Sequence, residues 1–214
     1  MDRRPLKTRG AQWASYSAAV LAKKGVTPNT ISVLSMVFAS LVLVTGYYSS
    51  ESKFLLLLSA LFIQLRLICN LLDGMVAVEH KKSSPNGELF NDVPDRFADI
   101  FIILGAYLAI NDIDFLFSAE KLAWIGSLAA VMTAYIRVLG KSLGTKSYFI
   151  GPMAKPHRMF FLTIAFIGEF FLASTNFQGY ILYFILILVA LGSLVTCLRR
   201  LLLISNELKE KARE

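Results

Sequence analysis

The sequence predicts an all-α polytopic membrane protein with six transmembrane helices and an N-terminal amphipathic helix at the membrane surface. Two observations predict this class. Hydrophobic residues make up 56% of the 214 residues and charged residues only 17%, a balance that soluble domains of this size rarely have. Apolar stretches of about 20 residues also recur along the chain, and each is long enough to cross a hydrocarbon core of about 30 Å.

The apolar stretches define the predicted spans. These are residues 30–50, 54–78, 95–111, 121–140, 159–175 and 179–204. The connections between them are too short for a soluble domain. We therefore expect one membrane domain over residues 30–204, preceded by residues 1–29 and followed by a tail of residues 205–214.

Residues 11–22 are predicted to form the interfacial helix. Trp13, Tyr16 and Val20 recur near helical spacing, and Lys23 and Lys24 follow them. This pattern is typical of a helix lying in the cytoplasmic interface. A short solvated lead-in is the alternative.

The basic residues report the orientation of the chain. With a cytoplasmic N-terminus, eighteen of the 22 Lys and Arg residues fall on the cytoplasmic side, and only Lys53 and Lys121 on the other. The positive-inside rule then predicts that both termini are cytoplasmic. Topology thus accounts for most of the net charge of +7, and because no recognition motif accompanies it we expect no nucleic-acid partner.

Polar residues that are costly within a membrane cluster at one place. The second span carries Asn70, Asp73, Gly74 and Ala77 on one face, and the third begins with Asn91, Asp92, Asp95 and Asp99. Antiparallel helices joined by a short loop would bring these oxygens together. Facing carboxylates repel unless cations lie between them or some are protonated. Oxygen ligands favour magnesium, manganese or calcium over zinc, and a magnesium site usually recruits substrate phosphate.

Gly74 and Ala77 have two readings. Small residues let a ligand approach the backbone beside Asp73. Close helix packing explains them equally well.

These residues resemble the signature of the CDP-alcohol phosphotransferases, D-x2-D-G-x2-A-R-x8-G-x3-D-x3-D. Every spacing matches over residues 70–95. The positions that agree are Asp73, Gly74, Ala77, Gly87 and Asp95, while Asn70 and Asn91 replace aspartates and Val78 replaces the arginine. The turn Thr27-Pro28-Asn29 is also similar to the family. The chain is identified as a divergent, bacterial-type member.

The resemblance implies a phospholipid-synthesising transferase. An alcohol attacks the β-phosphorus of a CDP-linked lipid, most often CDP-diacylglycerol, and CMP leaves. It also implies a homodimer among membrane lipids, with its active site on the cytoplasmic side of a bacterial inner membrane. Glycerol 3-phosphate, serine and inositol phosphate all remain open as the acceptor.

The resemblance further implies roles for individual residues. Two divalent metals, Mg2+ or Mn2+, would be held by Asn70, Asp73, Asn91 and Asp95, with Asp92 and Asp99 as further candidate ligands. Asp95 would take the proton of the acceptor hydroxyl. Asp73, Gly74, Ala77, Gly87 and Asn29 would form the CDP site. The two asparagines can ligate a hard cation but lower the negative charge of the site.

Two charged residues near the signature leave alternatives open. Arg66 lies one turn before Asn70 and either contacts phosphate, in place of the missing arginine, or pairs with a buried carboxylate. Lys81, Lys82 and Arg96 are other candidates for the phosphate contact. Asp99 either ligates the metal or pairs with Arg96 or Arg66.

The stretch from residue 137 to 158 is a basic, turn-rich loop between the fourth and fifth spans. Arg137, Lys155 and Arg158 are its candidate acceptor-binding residues, because Arg and Lys suit an anionic alcohol. Topology and anionic headgroups also explain basic residues there.

Glu169 lies in the middle of the fifth span, where a carboxylate must find a partner or a proton. Together with the departures from the signature it motivates the alternative function. That alternative is a non-catalytic CDP-lipid-binding member or a small membrane transporter.

Overall fold

The computed structural model describes residues 10–80, 82, 85–110, 113 and 116–213. These residues form seven α-helices and no β-strand, which confirms the all-α prediction. The helices are α1 (Gln12–Lys23), α2 (Pro28–Tyr47), α3 (Phe54–Glu79), α4 (Gly87–Leu108), α5 (Ala119–Ser142), α6 (Lys155–Leu172) and α7 (Tyr180–Lys211).

Four of the helices are long and apolar enough to cross a membrane. They are α2 with the short 3-10 turn that extends it to Ser50, α3, α5 and α7. The other two predicted spans correspond to α4 and α6, which carry charged residues of the predicted site. Helix α4 starts at Gly87, well before the predicted residue 95. Its first half carries most of its charged residues. The structure thus confirms four of the six predicted spans as candidates.

The chain enters the first span through the predicted turn. The Thr27 side chain accepts a hydrogen bond from the backbone N–H of Thr30 at 3.2 Å, and Pro28 occupies the first turn of α2. This is a standard N-terminal cap. Before it, α1 buries Ala14 and Ala18 and leaves Trp13 and Tyr16 exposed.

The packing of α2 determines how the site is assembled. It lies against both α3 and α4, whereas α3 and α4 contact each other only slightly. Gly46 of α2 and Gly105 of α4 allow this, since a Cβ atom on either would collide with the backbone of the other helix. The sequence predicts direct pairing of α3 with α4, and the structure instead places α2 between them as the shared neighbour.

The second half of the chain closes the bundle. Helix α5 packs on α7 and α4, and α6 packs on α3 and α7. The largest apolar cluster combines residues of all the helices from α2 to α7, among them Ile102, Leu162, Phe166 and Leu186. The end of α3 and the starts of α2, α4 and α6 therefore meet at one end of the bundle, where the charged residues lie.

Glu169 lies at the opposite end of the bundle and is hydrogen-bonded to the start of α7. Its carboxylate is fully buried and accepts hydrogen bonds from the backbone N–H groups of Gly179 and Leu182, at the start of α7. A helix N-terminus has unpaired N–H groups and favours negative charge. Glu169 thus caps α7, and this explains its depth without a transport pathway.

Candidate active site

Asp73 lies near the end of α3 and faces the first turns of α2. Its Oδ2 atom accepts a hydrogen bond of 2.7 Å from the Ser32 hydroxyl. The side chain is buried. Among the residues that the structure describes, no Lys, Arg or His forms a salt bridge with it. Asp73 is therefore a buried carboxylate with no cation in direct contact among the described residues.

Asn70 bridges α2 and α4, one turn before Asp73 on α3. Its Oδ1 atom accepts from the Ser35 hydroxyl at 2.5 Å, and its Nδ2 atom donates to Asp95 Oδ1 at 2.5 Å. The two serines are thus the contribution of α2 to the site. Their only signal in the sequence was their helical i, i+3 spacing within an apolar segment.

Asp95 is the most heavily contacted carboxylate of the cluster. Besides Asn70, its Oδ1 atom receives Arg66 Nη2 at 3.3 Å, and its Oδ2 atom receives Lys155 Nζ at 2.5 Å. Its side chain is 14% exposed and that of Lys155 is 25% exposed. This pair is therefore the part of the cluster that solvent or a substrate can reach.

Asp99 lies one turn deeper and is almost completely buried. Its two oxygens pair with Arg66 Nη2 at 2.9 Å and with Arg158 Nη2 at 2.7 Å. Of the predicted alternatives for Arg66 and Asp99, the structure shows their pairing with each other, whereas Arg96 pairs with Asp92. Because Asp99 has both oxygens engaged and no exposure, we place it as the counter-ion of two buried arginines.

Arg158 holds the connection before α6 in place. Its Nη1 atom donates to the carbonyl of Met153 at 2.8 Å, and its side chain is only 1% exposed. The Met153 N–H group donates in turn to the Thr196 hydroxyl of α7 at 3.0 Å. This connection positions Lys155 at the first turn of α6.

A second charged group lies nearer the surface. Asp92 Oδ1 pairs with Arg96 at 3.0 Å and with Arg137 of α5 at 3.6 Å. The Arg137 guanidinium also lies over the ring of Phe149, 5.0 Å from its centre. Asp92 and Arg137 are both partly exposed, so this group is open to solvent.

The remaining predicted residues surround the cluster, and the backbone N–H of Gly74 donates a hydrogen bond to Asp73. Asn91 is exposed, and Gly74, Ala77, Gly87 and Asn29 are partly buried. Gly87 is the first residue of α4, so it begins the helix after the connection from α3. Val78 is 48% exposed. Lys81 lies outside the described residues, and Lys82 donates to the carbonyl of Ala22.

The charges of the cluster balance. Three carboxylates, Asp73, Asp95 and Asp99, lie among three cations, Arg66, Lys155 and Arg158. In the described part of the chain, no group of three or more His, Cys, Asp or Glu residues could hold a metal ion. Asp73, which has no counter-ion, fits one hard divalent cation that completes its shell with substrate phosphate. The donor set does not provide the four carboxylates expected of a two-metal site.

Comparison with known proteins relates this geometry to a family. The sequence profile described as CDP-alcohol phosphatidyltransferase matches residues 25–192. No curated protein matches the sequence. Three crystal structures of the phosphatidylinositol phosphate synthase of Mycobacterium tuberculosis are similar to this fold.

The manganese and citrate complex of that synthase has a TM-score of 0.69 at 21% identity, covering 89% of this chain and 88% of that one. The complex with CDP-DAG gives 0.68 at 20% identity, with 91% and 94% covered. The apo form gives 0.66 at 19% identity, with 87% and 93% covered. At these identities the likeness shows a shared fold.

Proposed function

This chain belongs to the CDP-alcohol phosphatidyltransferase family, and we propose that it transfers a phosphatidyl group from CDP-diacylglycerol to the hydroxyl of a small, anionic alcohol. The observation that carries the proposal is the cluster of Asn70, Asp73 and Asp95 beside Lys155. Three of the four acidic positions of the signature come together at the end of the bundle where cationic side chains also converge. A relative of similar fold binds CDP-DAG, which supports the choice of donor.

The donor would lie along the ends of α3 and α4. Gly74, Ala77, Gly87 and Asn29 are the residues proposed to line the CDP site, because they are partly buried and small or polar. Asp73 lies beside Gly74 on α3. A nucleotide placed there would bring its diphosphate toward Asp73 and Lys155, the free carboxylate and the accessible cation of the cluster.

A divalent cation, Mg2+ or Mn2+, is the proposed cofactor, and manganese is present in a relative of similar fold. Asp73 is the proposed carboxylate ligand. The family resemblance implies a two-metal arrangement that also includes Asn70, Asn91 and Asp95. In this chain, however, Asp95 pairs with Arg66 and Lys155. Asp92 and Asp99 were further candidates. We propose instead that they pair with arginines, in keeping with their salt bridges. When bound, the metal would neutralise charge on the diphosphate.

The transfer step uses the protein's own groups as follows. The acceptor oxygen forms a bond to the β-phosphorus, the bond from that phosphorus to CMP breaks, and Asp95 receives the hydroxyl proton. Lys155 must leave Asp95 Oδ2, which it contacts at 2.5 Å, before that atom can accept a proton. Lys155 would then be free to pair with the phosphate oxygens.

The acceptor would enter from the side of α5 and α6. Arg137 and Lys155 are the proposed contacts to its anionic group, because both are partly exposed. Arg158 contributes by fixing the backbone at Met153, since its guanidinium is buried. Paired hydrogen bonds from Arg137 would suit a phosphate or a carboxylate.

For the membrane arrangement, we propose that α4 and α6 cross the bilayer with the four apolar helices. Their charged ends would lie in the cytoplasmic interface of a bacterial inner membrane with the active site and both termini. The proposed membrane domain covers residues 30–204, α1 would lie along the surface, and the assembly would be a homodimer. Asp99 of α4 and Glu169 of α6 are buried within the bundle, so both helices can carry these carboxylates inside a membrane domain.

The test measures donor binding and turnover separately in purified protein in detergent. CDP-diacylglycerol binding is measured with and without manganese, and CMP release is measured with a panel of anionic alcohols. We expect metal-dependent binding that Asp73→Ala abolishes and that Glu120→Gln, an exposed carboxylate of α5, leaves intact.

The outcomes separate the proposed function from its alternatives. Binding with CMP release for at least one alcohol supports the transferase. Binding without CMP release from any alcohol identifies a non-catalytic CDP-lipid-binding protein. No binding under any condition removes the proposal.

A further inference from the structure

We propose that this site uses one divalent cation, bound at Asp73, and that the Lys155 ammonium occupies the place of a second. The inference rests on the proposed function and concerns the number of metals in it. In this proposal the Lys155 ammonium, a group of the protein itself, provides the second positive charge beside the reacting phosphate. The residues that carry it are Asp73, Asn70, Asp95 and Lys155.

Both oxygens of Asp95 already accept from donors of the protein. One oxygen receives Asn70 Nδ2 and Arg66 Nη2, at 2.5 and 3.3 Å, and the other receives Lys155 Nζ at 2.5 Å. Two of these three donors are cations. A divalent ion on Asp95 would therefore have to displace a positive group that already balances its charge.

The orientation of Asn70 points the same way. Its carbonyl oxygen is held by Ser35 and its amide nitrogen faces Asp95. An aspartate at this position would present an oxygen to Asp95 and require a cation between the two carboxylates. The Asn70 amide removes that requirement, because its N–H group donates a hydrogen bond to Asp95 and no cation is needed between the two side chains.

Asp73 differs from Asp95 in these respects. Its described side-chain partner is the neutral Ser32 hydroxyl on Oδ2. The four signature positions thus carry two carboxylates, of which one has a lysine and the other has no counter-ion. Because the described cluster is neutral overall, a single divalent ion at Asp73 would take its balancing negative charge from substrate phosphate.

The backbone that carries Lys155 is held in place by the fold. Its neighbour Ala154 is buried, and the preceding Met153 is held by both Arg158 and Thr196. A lysine on a backbone held in this way keeps its ammonium beside Asp95 and near the proposed phosphate position, where it can supply the positive charge of a metal. Its partial exposure leaves the ammonium accessible to a phosphate.

The experiment counts manganese ions per chain. Free Mn2+ is measured by electron paramagnetic resonance during titration of purified protein in detergent saturated with CDP-diacylglycerol, and retained lipid is measured in the same samples. We expect one bound manganese in the wild type and in Lys155→Arg, and two in Lys155→Met, where Asp95 has lost its accessible cation. Thermal melting of each variant identifies any sample that has not folded.

Two manganese ions in the wild type overturn the inference, as does zero with lipid retained. One ion in a folded Lys155→Met variant also overturns the idea that the lysine occupies a metal position. If Lys155→Met does not fold, the wild-type count and Lys155→Arg still decide. Absence of retained lipid in every sample removes the proposed function, a result distinct from retained lipid with two metals.

Discussion

The amide nitrogen of Asn70 donates a hydrogen bond of 2.5 Å to the carboxylate of Asp95. This contact joins α3 to α4 at two positions of the family signature. The family pattern has aspartates at both, and two aspartates at that distance would repel. The substitution therefore changes the site from one that needs a cation for its assembly to one that assembles through a hydrogen bond.

Asn70→Asp tests this difference. The change removes the donor to Asp95 and places two carboxylates together, so we expect a loss of about 1–3 kcal/mol of stability without metal. Manganese should restore more stability to the variant than to the wild type. Thermal melting in detergent, with and without manganese, measures both effects. An identical manganese response in the two proteins would contradict the prediction.

Asp99→Asn tests the buried ion network. The change leaves Arg66 and Arg158 buried beside a neutral group, and breaking a buried pair costs about 3–5 kcal/mol. Two nitrogens of Arg66 and one of Arg158 already have no hydrogen-bond partner among the described residues. Asp99 is thus the main partner that compensates the buried charges of these two arginines.

The matched control is Asp92→Asn on the same helix. Asp92 is 41% exposed in its pairs with Arg96 and Arg137, and an exposed pair contributes about 0–1 kcal/mol. Denaturant unfolding in mixed micelles compares the two variants. Equal losses would show that burial of Asp99 is not the source of its effect.

Glu169→Ala tests the cap of α7. Removal of the carboxylate leaves the buried N–H groups of Gly179 and Leu182 unpaired, so we expect a loss of about 1–3 kcal/mol. Glu169→Gln keeps an accepting oxygen and should lose less. Both variants should bind CDP-diacylglycerol like the wild type. Loss of lipid binding in a folded Gln variant would assign Glu169 a role beyond the cap.

Much of the site could be predicted from the sequence because its residues lie close along two helices. The spacing of Asp73, Asp95 and Asp99 is a local property of helical geometry, and so is the cap at Thr27. The apolar runs of α2, α3, α5 and α7 likewise follow from local composition.

The partners of these residues could not be predicted, because they come from distant parts of the chain. Ser32 and Lys155 reach the site from α2 and α6, through packing that hydrophobic periodicity does not specify. The same holds for Glu169, whose partner belongs to the next helix. Arg158 is a predicted acceptor contact because arginine suits an anionic group, yet in the structure it is buried and pairs with Asp99.

Asp95→Asn tests the chemical step. The amide keeps the size of the side chain and one accepting oxygen, which can still face Arg66 and Asn70, so the fold and the donor site should persist. It cannot accept the hydroxyl proton, and loss of a general base typically lowers turnover by about 10²–10⁴-fold. We therefore expect CMP release to fall by this factor while CDP-diacylglycerol binding stays near the wild-type level. Glu88→Gln, an exposed carboxylate in the first turn of the same helix, should leave both unchanged. Full CMP release by Asp95→Asn would remove Asp95 as the base, and loss of lipid binding would show instead that its charge holds the donor site together.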